Sequence, residues 1–135
     1  FSGGAGTAEG ASSIFLGLGA GIFCYFGVSL KSRFGYDDSL DVVGIHGIGG
    51  IWGALATGLF ATKAVNAAGA DGLFYGNPGQ LWIQFVSVVA TLAFSFIVTY
   101  ALLKIVGAIT PLRVTEEEEE AGLDVSQHSE SAYQA

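Results

Sequence analysis

Three long stretches of the chain are almost wholly apolar, and each is about as long as a membrane-spanning helix. Residues 11–30 and 81–103 carry no charged side chain. In residues 42–61 the only ionisable side chain is that of His46. An α-helix crosses the hydrocarbon core of a bilayer with about 20 apolar residues. None of the stretches shows the two-residue alternation of a barrel strand. The pattern predicts an all-α membrane protein, a polytopic helical bundle with spans at about 11–30, 40–61 and 81–107.

Composition agrees with this prediction, and the charge divides the chain in two. Apolar residues make up 51% of the chain and charged residues 13%, whereas soluble domains carry about 25% charged residues. Residues 1–113 hold five acids and five bases, so the net charge of −7 lies entirely in residues 114–135. We therefore predict a membrane part, 1–113, and an acidic tail, 114–135. No basic cluster is present, which argues against a nucleic-acid partner.

The few basic residues predict an orientation in the membrane. Lys31 and Arg33 lie in the short segment 31–41, Lys104 and Arg113 follow the third span, and the segment 62–80 carries only Lys63. The positive-inside rule then places 31–41 and the tail in the cytoplasm, and three spans are consistent with both being on one side. The N-terminal end and 62–80 should face outwards. Because the chain begins without Met, we expect it to be the C-terminal part of a longer protein.

His46 is the only residue of the Asp, Glu, His, Lys and Arg types in the three apolar stretches. A helix that starts near Ser39 would place it about 11 Å along the axis, close to mid-bilayer. Helical spacing puts it on one face with Val42, Gly49, Gly50, Gly53 and Thr57. One interpretation is a neutral imidazole that hydrogen-bonds to a neighbouring helix. The other is a proton relay or a substrate contact, the usual hypothesis for an ionisable group at this depth.

Small residues and acids surround this histidine. Gly49 with Gly53, Gly50 with Ala54, and Gly17 with Gly21 have the four-residue spacing that lets helices pack closely. The acids Asp37, Asp38 and Asp41 come just before the span. We expect Asp37 and Asp38 to cap the helix, and Asp41 to bind backbone amides or a partner helix.

Two segments carry a resemblance to a known family. GYDDSLDV leading into HGIGGIWGALATG looks like the signature of the ammonium transporter family (Amt/Mep/Rh), and LRVTEEEEEAGLDVSQHSESAY resembles its cytoplasmic C-terminal segment. The resemblance covers nearly the whole chain, as the last three of about eleven spans. It implies a multi-pass protein of the plasma membrane, assembled as a homotrimer with one narrow hydrophobic pore per subunit.

The resemblance also implies a mechanism. Members of the family line the pore with two mutually bonded histidines at mid-membrane, and His46 matches the second. Val42, one turn earlier, would line the inner pore. Ammonium would be recruited outside, lose a proton and cross largely as ammonia.

The tail has two interpretations. Its composition alone predicts a solvated, disordered charge run. The resemblance implies a regulatory segment that docks on the cytoplasmic face and communicates with a PII-type signal protein, with Glu116, Asp124, His128 and Tyr133 among its residues. Ser129 stands where the family usually has glycine, so a turn that needs positive φ is in question there.

Two other hypotheses compete with ammonium transport. A small helical membrane adaptor with a partner-binding tail would leave His46 replaceable, and a related channel would carry another small neutral solute. An enzyme is not expected, because the sequence contains no nucleophile–base set, metal cluster or phosphate loop. No cofactor is expected either.

Overall fold

The computed structural model describes residues 10–130, which form helices joined by loops. In chain order these are α1 (Gly10–Phe34), a π-helical turn (Val43–Ile48) that continues into α2 (Gly49–Phe60), a 3-10 turn (Leu73–Tyr75), α3 (Pro78–Gly107), α4 (Glu116–Ala121) and α5 (Leu123–His128). The prediction of an all-α membrane protein is confirmed.

Three helices are long and apolar enough to cross a membrane: Gly10–Phe34, Val43–Phe60 and Pro78–Gly107. Their 25, 18 and 30 residues correspond to about 38, 27 and 45 Å, against about 30 Å of hydrocarbon core. Three bounds differ from the prediction, and one of them is the later start of the second span. α1 continues to Phe34, because Lys31 and Arg33 in its last turn complement the helix dipole. α3 begins at Pro78, whose fixed φ and missing N–H suit a first helical position.

The chain forms two compact units, one up to Leu92 and one from Ala93. In the first unit, α1 packs against α2 around Leu16 and Ala56, with Trp52 and Phe60 beside them. The indole Nε1 of Trp52 donates to the backbone oxygen of Leu16 at 3.0 Å, and its ring lies 4.8 Å from that of Phe23. Trp52 therefore anchors α2 to α1 by both packing and a hydrogen bond.

The loop after α2 folds back onto the end of that helix. The N–H of Gly72 donates to the backbone oxygen of Ala61 at 2.8 Å, and a carboxylate oxygen of Asp71 accepts from the N–H of Lys63 at 2.8 Å. A side chain at Gly72 would lie 2.7 Å from the backbone oxygen of Leu59, so only glycine fits there. This loop leads the chain into α3.

The second unit contains the end of α3 and the tail, where α4 and α5 form a short helical pair. A capping box starts α4: the Thr115 hydroxyl accepts from the Glu118 N–H, and the Glu118 carboxylate accepts from the Thr115 N–H at 2.9 Å. The hydroxyl of Ser126 donates to the backbone oxygen of Gly122 at 2.9 Å. Composition alone predicted a disordered tail, but residues 114–130 contain two short helices that local hydrogen bonds stabilise.

Candidate functional site

His46 lies in a π-helical turn, not in a regular α-helix. The turn spans Val43–Ile48 and passes directly into α2. Its hydrogen bonds reach five residues back instead of four, and such turns are frequent at functional sites. Because the helical segment starts at Val42 and not near Ser39, His46 lies only about 6 Å from the helix start. The wider turn also means that residues four apart no longer share a face as the α-helical period predicts.

Two clefts meet at the His46 side chain. The α1 cleft, about 530 Å³, lies between α1 and the second span and is lined by Gly17, Ala20, Gly21, Cys24, Ile45, His46, Gly49 and Gly50. The α3 cleft, about 370 Å³, is lined by His46, Gly47, Gly50, Ile51, Ala54, Ser87, Val88, Thr91 and Leu92. His46 and Gly50 line both. The imidazole is thus the ionisable group at the junction of two mostly apolar clefts.

Missing side chains create much of this space. A Cβ built at Gly17, Gly21 or Gly50 would meet no other atom within 4 Å. These glycines therefore leave open space beside the imidazole. A small solute fits such a cleft, and the two ring nitrogens, one a donor and one an acceptor when neutral, can hydrogen-bond to it.

Charged residues hold the start of the helix that carries His46. The carboxylate of Asp38 accepts from the N–H groups of Val42 and Val43 at 2.8 and 2.9 Å, which caps the first turn. The ammonium of Lys31, from the end of α1, donates to the backbone oxygen of Asp38 at 3.0 Å and forms an ion pair with Asp41. We call Lys31, Asp38 and Asp41 the helix-start anchor.

Close backbone contact holds the π-helical turn against α1. A Cβ at Gly44 would lie 2.6 Å from the backbone nitrogen of Val28, and a Cβ at Gly27 would lie 2.9 Å from the Cα of Gly44. One turn further on, the thiol of Cys24 lies 3.5 Å from the backbone oxygen of Ile45, within hydrogen-bonding range for sulfur. The turn and α1 therefore pack backbone against backbone, with no room for a side chain at Gly27 or Gly44.

The predicted pore and packing residues take different positions around this turn. Val42 precedes the turn, has 48% of its surface exposed and lines neither cleft in the described part of the chain. Gly49 and Gly53 are buried, and a Cβ at Gly49 would lie 2.8 Å from the Cys24 sulfur. Gly50 faces open space. The roles assigned to these residues in transport stay predictions.

The predicted tail residues belong to the second unit. Glu116 is the first residue of α4, Asp124 lies in α5, and His128 ends α5. Ser129 follows with a φ of 55°, so the left-handed turn forms although glycine is absent. Tyr133 lies outside the described residues.

Sequence reasoning missed two features of the site. One is Lys31 as the partner of Asp41, for which the sequence predicted only backbone amides or a partner helix. The signal was a lysine followed within ten residues by three acids. The other is the Gly27–Gly44 contact. Its glycines lie on different spans, so spacing within one helix could not reveal which pair would meet.

Known proteins are similar in sequence to this chain. A family model described as Ammonium Transporter Family matches residues 1–133. The chain is 56% identical over 131 residues to an ammonium transporter of Bacillus subtilis, covering 96% of the chain and 32% of that protein. It is 46% identical over 129 residues to ammonium transporter Amt1 of Archaeoglobus fulgidus, covering 96% of the chain and 32% of that protein.

An ammonium transporter of Aquifex aeolicus is 50% identical over 130 residues, which cover 96% of the chain and 30% of that protein. The chain thus spans about a third of the length of these relatives. With three candidate spans, and a family match over nearly all its residues, the chain belongs to the Ammonium Transporter Family.

Proposed function

We propose that this chain is part of a transporter that moves ammonium across a membrane as ammonia, and that His46 is one of the residues that line the path. The observation that carries the proposal is the position of His46, an ionisable side chain on a candidate spanning helix where two glycine-lined clefts meet. The similarity to proteins named ammonium transporters supports the choice of solute.

The physical case for ammonia rests on desolvation. Moving a bare ion into a medium of low dielectric costs tens of kcal/mol in the Born limit. A neutral molecule avoids most of that cost, so an apolar cleft favours ammonia over ammonium. The proton must then leave before the solute enters the apolar part of the path.

An imidazole can handle both the neutral solute and the proton. Each ring nitrogen can donate or accept, so His46 can hydrogen-bond to ammonia or exchange a proton at Nδ1 or Nε2. The paired histidine implied by the family resemblance would come from a part of the transporter outside this chain. In this mechanism Val42 lines the cytoplasmic end of the path.

The proposal includes an orientation and partners. Lys31 and Arg33 at the end of α1, and Lys104 and Arg113 beyond the third span, favour a cytoplasmic position for the segment 31–41 and the tail. The complete transporter would have about eleven spans, form a homotrimer in the plasma membrane and contact a PII-type signal protein through residues 114–135.

The test is ammonium-driven current and internal pH change in liposomes that hold the complete transporter, with and without His46→Ala. We expect His46→Ala to change flux or proton coupling by about tenfold or more, since the loss of a group that holds the solute in position costs one to two orders of magnitude. The matched control is His128→Ala, which removes the chain's other histidine and should retain flux in liposomes without soluble partners.

An unchanged flux and an unchanged proton dependence in His46→Ala would contradict the proposed role of His46. The histidine would then be a structural residue. Absence of ammonium flux in the unmutated complete transporter would instead favour a helical membrane adaptor. A flux that persists with another small neutral solute, but not with ammonium, would identify a related channel instead.

A further inference from the structure

The side chain of Lys31 connects the end of α1 to the start of the helix that carries His46. Its ammonium binds two groups of the connecting segment at once, the backbone oxygen of Asp38 at 3.0 Å and the carboxylate of Asp41. About 31% of the Lys31 side chain and 29% of the Asp41 side chain remain exposed. Partial burial of both partners lets the pair hold a defined geometry, because solvent screens it less than a surface pair.

Asp41 is the last residue before the second helical segment, which starts at Val42. Its φ is 54°, an uncommon value for a residue other than glycine. Its backbone oxygen accepts from the N–H of Ile45 at 2.8 Å, so the main chain of Asp41 starts the hydrogen-bond ladder of the following turn. Such a conformation persists only where its surroundings hold it, and the contact with Lys31 holds the side chain of this residue.

The helix-start anchor lies next to the π-helical turn. The Asp38 carboxylate binds the N–H groups of Val42 and Val43, and the Asp41 oxygen binds that of Ile45, the residue before His46. These two acids therefore bind three N–H groups at the start of the turn. Lys31 links both acids to the end of α1.

We propose that Lys31 is a positioning residue for His46: by binding Asp38 and Asp41 together, it sets the start of the π-helical turn and so the direction in which the imidazole points between the two clefts. The inference rests on the proposed function of His46 in ammonium transport. Among the described residues, Lys31 is not part of the lining of either cleft.

The test is a double-mutant cycle in the complete transporter, reconstituted in liposomes, with Lys31→Met, His46→Ala and the pair. If Lys31 acts through His46, Lys31→Met should lower ammonium flux by about ten- to a hundredfold in the parent background, because small misplacements at a site cost that much. In the His46→Ala background, Lys31→Met should change flux by less than about twofold, because mutations of coupled residues are not additive.

A second measurement reports on the histidine directly. Diethyl pyrocarbonate modifies imidazole rings, and peptide mass spectrometry gives the rate at each histidine. We expect Lys31→Met to change the modification rate of His46 by at least about threefold, because the ring would move within its cleft. The modification rate of His128 should stay unchanged. This readout holds even if His46→Ala carries no measurable flux.

Matched variants separate positioning from other roles of the lysine. Lys31→Arg keeps the charge and should retain most of the flux. Lys63→Met removes an exposed lysine of the same unit and should leave both measurements unchanged. If Lys31→Met lowers the amount of assembled transporter, Asp41→Asn, which keeps the side-chain shape, enters the cycle in its place.

The outcomes are distinct. An equal loss of flux for Lys31→Met in both backgrounds, with an unchanged modification rate at His46, would overturn the positioning role and leave the proposed function intact. No effect of Lys31→Met on either measurement would also overturn it. A His46→Ala variant with normal flux would instead count against the proposed function.

Discussion

Glycines in this chain do opposite things at different positions, although the sequence shows them in one regular pattern. Gly44 lies in contact with the backbone of Val28, whereas Gly21 faces open space in the α1 cleft. The first glycine permits helix packing, and the second keeps a cleft open. A mutation series can separate these roles because alanine adds one methyl group to each.

We expect Gly44→Ala to lower the stability of the complete transporter by about 1–3 kcal/mol, since the added Cβ would lie 2.6 Å from the Val28 nitrogen and overpacking of this kind is destabilising. Thermal unfolding in detergent measures the change. Gly21→Ala is the control, where a Cβ meets nothing within 4 Å and stability should hold or rise slightly, because alanine favours the helix. Equal midpoints for the two variants would contradict the close contact seen at Gly44.

Residue types were the most predictable level of the site. An isolated histidine in an apolar span, with glycines on either side, could be picked out from sequence alone. The type of a residue does not show which other residue it will contact in the fold. Lys31 and Asp41 are ten positions apart, and their ion pair exists because the chain turns back between α1 and the π-helical turn.

At the scale of elements, the second span and the tail both depart from what periodicity and composition predict. The second span begins with a π-helical turn. The hydrophobic period along the chain does not distinguish such a turn from an α-helix. Here the turn is in close contact with α1 at Gly44, and a contact between helices has no period in the sequence. The tail forms α4 and α5 despite its high negative charge. Here the sequence held a usable signal, Thr115 followed three residues later by Glu118, which is the pattern of a capping box.

The capping box makes the tail sensitive to acid. Hydrogen bonds from the Thr115 N–H and then from its hydroxyl hold the pKa of Glu118 below its ordinary value of 4.5. A lowered folded-state pKa adds stability that is fully present above 4.5 and is lost as the pH falls through the folded value. We expect α4 to stay formed at neutral pH and to loosen below about pH 4.5, which amide NMR signals of Thr115 and Glu118 would report.

Two variants sharpen this pH experiment. Glu118→Gln keeps an acceptor in the capping box but removes the titrating group, so it should flatten the pH dependence of the Thr115 signal. Glu117→Gln, at an exposed neighbouring position, should leave the transition as it is. A transition that survives unchanged in Glu118→Gln would assign the acid sensitivity to another carboxylate.

At the scale of the whole molecule, the described chain leaves much apolar surface uncovered. No residue of α3 is buried, and large side chains such as Phe94, Phe96 and Ile97 are 65–74% exposed. A candidate spanning helix that is apolar on all sides suits contact with lipid or with other helices. Both clefts at His46 are likewise bounded by few helices.

We expect liposomes that carry only residues 1–135 to conduct no more ammonia than empty liposomes. A closed path needs walls around His46, and the chain spans about a third of the length of its relatives. The measurement is the internal alkalinisation after an ammonium pulse, with the complete transporter as the positive control. Conduction by the short chain above background would show that these helices form a path by themselves.

The sequence by itself determined the class of the protein, three candidate spans, the acidic tail and the one histidine within those spans. These follow from local properties: apolar length, charge placement and the cost of burying an ionisable group. Only the tertiary structure decided that His46 sits in a π-helical turn, that Gly27 meets Gly44, and that Lys31 holds Asp38 and Asp41. Those features depend on which surfaces of separate helices meet, and contacts between helices are set by packing of the whole bundle and not by any single period along the chain.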